Sequence, residues 1–338
     1  MGLLRYTAWR LLQAIPVLLG IVTIVFFLVN AIPGDPVEIM LGPSPNADQI
    51  AAIQAKYGLN KPLHERYINY LINVVQGDLG KSISVKSGMP VSELMLNRLP
   101  VTLLLTLSAF AFAIVTAVPL GVISAKRRNE STDHIARIVS LIGVSTPSFW
   151  IGLMLIIVFS LHFDIFPSRD LIMPWTEPGT GSRVTRRADS QLEIIALSIK
   201  HLILPMISLG TLQMAQITRI ERSTMVETIQ NEYVKLARAY GVSERTIMRK
   251  HAFRPAQLPV ITIIGLGLST ALGGAVLIET VFGINGMGRL IIQGVNQRDY
   301  PVVMGTTLVF GLTYLVGVIV TDISYAYIDP RVKYGDQK

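Results

Sequence analysis

Six long apolar blocks, at 11–32, 99–125, 135–163, 201–220, 258–278 and 302–328, set the limits on what this chain can become. A helix rises 1.5 Å per residue, so about 20 apolar residues cover a hydrocarbon core about 30 Å thick. Lipid offers no water to backbone N–H and C=O groups, and a crossing segment must close those bonds within itself. The expected fold class is therefore an all-α polytopic membrane protein with six transmembrane helices. Composition agrees: 51% of residues are apolar and 15% charged, against about 25% charged in ordinary soluble domains.

The net charge of +8 is placed as a membrane protein would place it. Lys and Arg gather in short cytoplasmic loops. With the N-terminus inside, the inner segments 1–10, 126–137, 219–254 and 329–338 hold 17 of the 30 basic residues in 68 positions. The outer segments 33–98, 164–200 and 283–301 hold 13 in 122 positions. Both termini are thus expected in the cytoplasm, although Arg183, Arg186 and Arg187 fall on the outer side. Arg5 and Arg10 precede the first block as in a signal peptide. That block is too long for an h-region and no small-x-small site follows it, so it is read as a retained span.

The expected division is a first transmembrane helix at 1–32, an extracytoplasmic segment at 33–98, a five-helix core at 99–328 and a tail at 329–338. In the outer segment, Pro33-Gly34-Asp35-Pro36 breaks the first span. Short helices are expected near 48–57, stopped by Gly58, and 62–76, stopped by Gly77. Tyr67, Tyr70, Leu71 and Val74 form a packing stripe on the second. The fourth block is the most polar, with Ser208, Thr211, Gln213, Gln216 and Thr218.

Several chemistries are excluded. Without cysteine there is no disulfide framework or thiolate metal site. Neither His-Glu-x-x-His nor Gly-x-Ser-x-Gly occurs, which argues against an intramembrane enzyme. Gly80-Lys81-Ser82 is the nearest approach to a Walker A loop, but its first glycine would fall on Val75. An energy source must come from another chain.

The inner loop 221–255 carries the most information. Asn231 or Glu232 can start a helix, on which Tyr233, Leu236, Ala237 and Tyr240 share one face at i, i+3, i+4 and i+7. Gly241 supplies a left-handed stop. Ser243 caps a second short helix with Ile247, Met248 and His251, which Pro255 helps to end. This helix–turn–helix is expected along the membrane surface. It fits three readings: a basic loop against anionic lipid, a DNA-binding helix-turn-helix, or a docking element for a partner's groove. The DNA reading lacks a third helix and a recognition helix free to enter a groove.

The segment Glu232-Tyr233-Val234-Lys235-Leu236-Ala237-Arg238-Ala239-Tyr240-Gly241, with His251-Ala252-Phe253-Arg254-Pro255, resembles the coupling loop of binding-protein-dependent ABC importer permeases of the dipeptide/oligopeptide/nickel branch. The resemblance covers almost the whole chain. It includes Ile32-Pro33-Gly34-Asp35-Pro36, Tyr57-Gly58-Leu59-Asn60-Lys61-Pro62, Gly77-Asp78-Leu79-Gly80 and Arg98-Leu99-Pro100. Further on come Glu279-Thr280-Val281-Phe282, Gly286-Met287-Gly288, Arg298-Asp299-Tyr300-Pro301 and Asp329-Pro330-Arg331. Two departures stand out: Lys235 replaces a glutamate six residues before the glycine, and Asn285-Gly286 replaces Pro-Gly after the fifth span.

The resemblance implies a type I ABC importer fold and a subunit that does no covalent chemistry. Glu232, Tyr233, Lys235, Leu236, Ala237, Arg238, Ala239, Gly241 and Ser243 would meet a cytoplasmic ATPase. The implied partners are a second homologous permease, two ABC ATPases, an extracytoplasmic substrate-binding protein docking on 33–98, and the bilayer, with no nucleic acid. ATP and Mg would sit on the ATPases, and this chain would bind no cofactor. Polar residues at membrane depth are the pathway candidates: Thr102, Thr106, Ser145, Thr146, Ser148, Gln213, Gln216 and Glu279. The implied cargo is di- or oligopeptide, with nickel, glutathione or oligosaccharide as the alternative. A stand-alone channel remains the alternative of another class, although a channel needs no coupling loop.

Overall fold

A computed structural model describes residues 3–31, 46–58 and 60–328 of the chain. For 3–8, 53, 56–57, 269–272, 274 and 322–328 only the backbone is described. The motifs at 32–36 and 329–331, and Leu59, lie outside the described residues. Every regular element among those described is helical: α1 (Leu3–Ala31), α2 (Ala47–Tyr57), α3 (Leu63–Val75), α4 (Val91–Lys126), α5 (Ser131–Ser145), α6 (Ser148–Leu155), α7 (Gln191–Gln230), α8 (Glu232–Ala239), α9 (Glu244–Thr246), α10 (Phe253–Val281), α11 (Met287–Asn296) and α12 (Tyr300–Ile328).

Four described helices are long and apolar enough to cross a membrane: Trp9–Ala31, Val91–Lys126, Gln191–Gln230 and Tyr300–Thr321. The fifth apolar block, 258–278, lies in the continuous helix α10. The third block, expected as one span, is bent. Ser131–Ser145 and Ser148–His162 meet at an angle of 105°. Each is 15 residues, about 22 Å, and too short to cross alone. Pro147 is the cause. It pushes Thr146 into extended backbone (φ −99°, ψ 128°), and the first helix stops at Ser145. Apolar content alone is blind to such a turn.

The chain forms two compact units. One comprises 9–102 and 285–313. In it, Val22, Phe26 and Val29 form the buried stripe of α1, while Leu12, Ile15, Leu19 and Leu28 on its other faces are exposed, as lipid contact requires. The Phe26 ring packs on Tyr67 and Tyr70 of α3 at centroid distances of 5.3 and 5.7 Å. The Tyr67 and Thr23 hydroxyls bond at 2.6 Å, and Arg66 donates to Asn30 Oδ1 at 2.7 Å. Tyr67 and Tyr70 of the expected stripe thus pack on α1. Both expected short helices form, and Asn46 closes a capping box on α2.

Helix α11 was not anticipated. Val91, Leu94 and Met95 pack with its Met287 and Leu290 and with Val302 of α12. Beside this core, one Asp299 carboxylate oxygen accepts from the Ser82 hydroxyl at 2.6 Å and from the successive amides of Ile83, Ser84 and Val85 at 3.0, 2.9 and 2.9 Å. A fully buried carboxylate is tolerable only when its lone pairs are engaged. Asp299 thus holds the 82–86 loop to the start of α12.

The other unit comprises 1–8, 103–284 and 314–338, with α7 at its centre. Helix α7 starts ten residues before the fourth apolar block, where Ser190 accepts from the Glu193 amide, so the expected 164–200 loop is shorter. It packs against α5, α6 and α10. Against α4 it approaches at Gly210, where a Cβ would stand 2.7 Å from the Ala109 carbonyl oxygen and 2.8 Å from Phe112. Helix α5 buries Asp133, Ser140 and Gly143 and turns Ile135, Ile138, Leu141 and Ile142 outward, the reverse of a soluble helix. Gly210→Leu is expected to overpack this contact and cost about 1–3 kcal/mol. The check is a lower unfolding midpoint for the detergent-solubilised chain.

Candidate functional site

The site is built around the end of α7. That helix runs ten residues past its apolar block to Gln230, where Asn231 (φ −66°, ψ 146°) breaks it and α8 begins at once. The Asn231 carbonyl accepts from the Val234 and Lys235 amides at 3.0 and 3.2 Å. At its other end α8 closes in a Schellman turn: the Gly241 amide donates to the Arg238 carbonyl at 2.9 Å and the Val242 amide to that of Ala237 at 3.1 Å. Gly241 sits at φ +77°, the left-handed region where glycine carries no Cβ penalty.

The expected apolar face of Tyr233, Leu236, Ala237 and Tyr240 forms on α8 and is largely exposed. Val234 is completely buried and Ala237 half-buried, while Tyr233, Leu236 and Tyr240 are 44%, 57% and 80% exposed. The buried side, at Val234, lies about one residue, or 100°, round the helix from that face. What faces outward is an exposed aromatic and aliphatic triplet.

Two ion pairs brace the element. Lys235 Nζ lies 2.7 Å from Glu232 Oε1, and Arg238 reaches over the turn to Glu244. The guanidinium holds the Glu244 carboxyl below its ordinary pKa. These side chains are exposed, so the pairs set geometry more than stability. Ser243 leads into α9 with its carbonyl accepting from Thr246 and Ile247 amides and its hydroxyl 2.9 Å from that of Thr246.

The second half of the loop is anchored. After α9 the chain widens into a π-helical stretch, Ile247–Ala252, and passes directly into α10. Pro255, expected to help end this helix, lies in the first turn of α10, where its missing N–H costs little. Ile247 and Ala252 are completely buried. Ala252 joins Ala125, Met225 and Ala256 in a core flanked by Val122, Ile229, Met248 and Phe253. Helix α8 itself packs on α7 and on the π-helical stretch.

Two polar clusters tie this end of α7 to its neighbours. The buried Asp133 carboxylate is held by the Arg222 guanidinium at 2.6 and 2.8 Å, the Ser124 hydroxyl at 2.6 Å and the Asn129 amide at 2.9 Å. It joins the ends of α4 and α5 to α7. The residue next to Arg222 in α7, Glu221, also buried, accepts from Gln257 Nε2 of α10 at 3.0 Å on each oxygen.

Residues 117–334 match the family described as the binding-protein-dependent transport system inner membrane component. Residues 3–106 match the N-terminal part of such membrane components. The chain belongs to this family. It is 41% identical over 330 residues to the oligopeptide transport system permease protein AppB of Bacillus subtilis, covering 97% of this chain and 99% of that one. It is 37% identical to the dipeptide transport system permease protein DppB of Escherichia coli and 40% identical to the di/tripeptide permease DppB of Pseudomonas aeruginosa. Each of those alignments covers 98% of this chain and 99% of the relative.

In this permease the nine loop residues singled out from sequence form one continuous element, and the pathway candidates fall on α4 to α7 and α10, with Thr146 in the Pro147 bend. Thr102 is buried and accepts the Met287 amide at 2.8 Å, at the start of α11. Thr106 and Glu279 are buried, Gln213 and Gln216 half-buried, and Ser145 is exposed beside the Thr146-Pro147 bend. The Ser148 carbonyl accepts from Ser208 at 2.7 Å. The Thr106 hydroxyl and Gln213 Oε1 are buried without a hydrogen-bond partner among the described residues.

Sequence reasoning missed Asp133, Arg222, Glu221 and Gln257. For Asp133, Arg222 and Glu221 the one signal was charge at the rims of apolar blocks, which reads equally well as interfacial solvation, and the neutral Gln257 gave none. Removing one partner from a buried pair leaves a charge uncompensated. Asp133→Ala is therefore expected to cost about 3–5 kcal/mol, seen as a depressed midpoint in detergent, with Asp133→Asn falling between it and the parent.

Proposed function

We propose that this permease is one transmembrane subunit of an ATP-driven peptide importer, and that α8 is where a cytoplasmic ATPase delivers mechanical work. One observation carries the reading: Tyr233, Leu236 and Tyr240 face outward from a helix whose opposite side is locked by Val234. Eight residues are too few for a stable isolated helix. This one is preorganised by the Schellman turn and the buried residues beside it, so a groove on a partner meets a rigid apolar ridge.

Work applied to α8 passes into α7 across Asn231 and into α10 through the π-helical stretch. The Asp133–Arg222 pair extends it to the α4–α5 turn. ATP and Mg belong to the partner ATPases, and this chain contributes no catalytic group and no cofactor site. Cargo alone shifts an inward/outward equilibrium only by its difference in affinity for the two states, so the bias comes from nucleotide. A second homologous permease completes the pathway and a pair of ATPases drives it. A substrate-binding protein docks on the outer segment 33–98, with both termini in the cytoplasm. Peptide as cargo rests on the names of the oligopeptide and dipeptide relatives.

Leu236→Glu puts a charge on an exposed position. It is expected to leave insertion and folding intact while removing ATPase co-purification and ATP-dependent peptide uptake. Gly241→Pro removes both the positive φ and the amide that closes the turn, and uptake should be lost with insertion retained. Deleting 232–251 separates this reading from a channel, which would still conduct. Normal uptake in either point variant contradicts the lever.

A further inference from the structure

Beside the coupling element, the permease has a groove of about 850 Å³ that the lever does not use. Its floor is apolar: Val118, Val122 and Ile123 of α4, with Phe253 at the start of α10. These α4 residues fall in the last two turns of the second apolar block, which ends at Ala125 and is followed by Lys126-Arg127-Arg128. The floor therefore belongs to the part of α4 that leaves the hydrocarbon. The rim is cationic. Arg245, Arg249, Lys250 and Arg254, all exposed, line the groove. Among the described residues no carboxylate lies within ion-pairing distance of any of the four. Glu244, the nearest acid in sequence, is engaged by Arg238.

An occupant must satisfy both surfaces. A free anion answers the rim and leaves the floor wet; a neutral lipid or apolar peptide answers the floor and leaves four cations uncompensated. We propose that this groove binds an anionic phospholipid, with its phosphate against Arg249, Lys250 and Arg254 and an acyl chain along Val118, Val122 and Ile123. Basic pockets between transmembrane helices bind lipid phosphates on the same logic, and the volume suits a head group with the upper part of a chain. Three of the four cations stand on the Ile247–Arg254 segment that joins the coupling element to α10. Bound lipid therefore holds this end of the loop to the bilayer.

The test is native mass spectrometry of the full-length permease released from nanodiscs of equal phosphatidylglycerol and phosphatidylcholine, with and without its co-purified partners. The parent should retain phosphatidylglycerol in preference to phosphatidylcholine. Arg249→Gln with Arg254→Gln should cut that preference about thirtyfold, from the loss of two cations near a lipid phosphate. Ile123→Trp fills the floor and leaves every cation in place. It should cut the preference as well, whereas a site for free phosphate alone would be indifferent to it. No preference in the parent, or equal preference in parent and both variants, overturns the proposal. So does a preference that disappears when the partners are present, because a protein then covers the groove. The readout uses neither ATP nor peptide, so it stands or falls separately from the proposed transport function.

Discussion

A single uninterrupted helix of 40 residues, α7, sets the mechanics of this permease. At 1.5 Å per residue it is about 60 Å long, twice the thickness of a bilayer's hydrocarbon. Part of it must stand outside the lipid. Its last ten residues carry Glu221, Arg222, Met225 and Thr228 inward onto α4, α5 and α10, so the projecting end is packed and not free. Everything attached there inherits that stiffness. Helix α8 follows after a single extended residue, and the π-helical stretch returns to α10 with Ile247 and Ala252 buried.

Buried charge does the fastening. Asp133 is closed by a bidentate arginine, a hydroxyl and an amide. In the other compact unit, Asp299 is closed by a hydroxyl and three successive amides. Neither carboxylate can be stripped of its partners without leaving an unpaired charge in a poorly polarisable interior. Apolar contact between helices in lipid gives little directional preference, because lipid tails are as apolar as leucine. Such pairs supply the registry that greasy surfaces do not.

The sequence was most readable where backbone chemistry is local. Gly241 and Gly58 as left-handed stops, the start of α8 at Glu232 and the short helices after the first span all follow from a few neighbouring residues. The packing of Tyr67 and Tyr70 was readable from the stripe alone. Legibility failed where the answer depends on chain direction or on distant partners. The 135–163 block read as one span because apolar content says nothing of the 105° turn at Pro147. The apolar face of α8 was readable, but the burial of Val234 beside it was not, because which side meets the chain depends on residues distant in sequence. Asp133 with Arg222, 89 positions apart, left no local trace.

The absence of cysteine from the sequence makes one direct experiment clean. Leu236→Cys and Val234→Cys place single thiols on opposite sides of α8, one outward and one inward. With the assembled importer in native membranes and a short thiol-to-amine crosslinker, position 236 should couple to the ATPase subunit in a nucleotide-sensitive way and position 234 should not. If position 236 reacts only with water-borne or lipid-borne reagents, and never with the ATPase, then α8 is not the coupling helix.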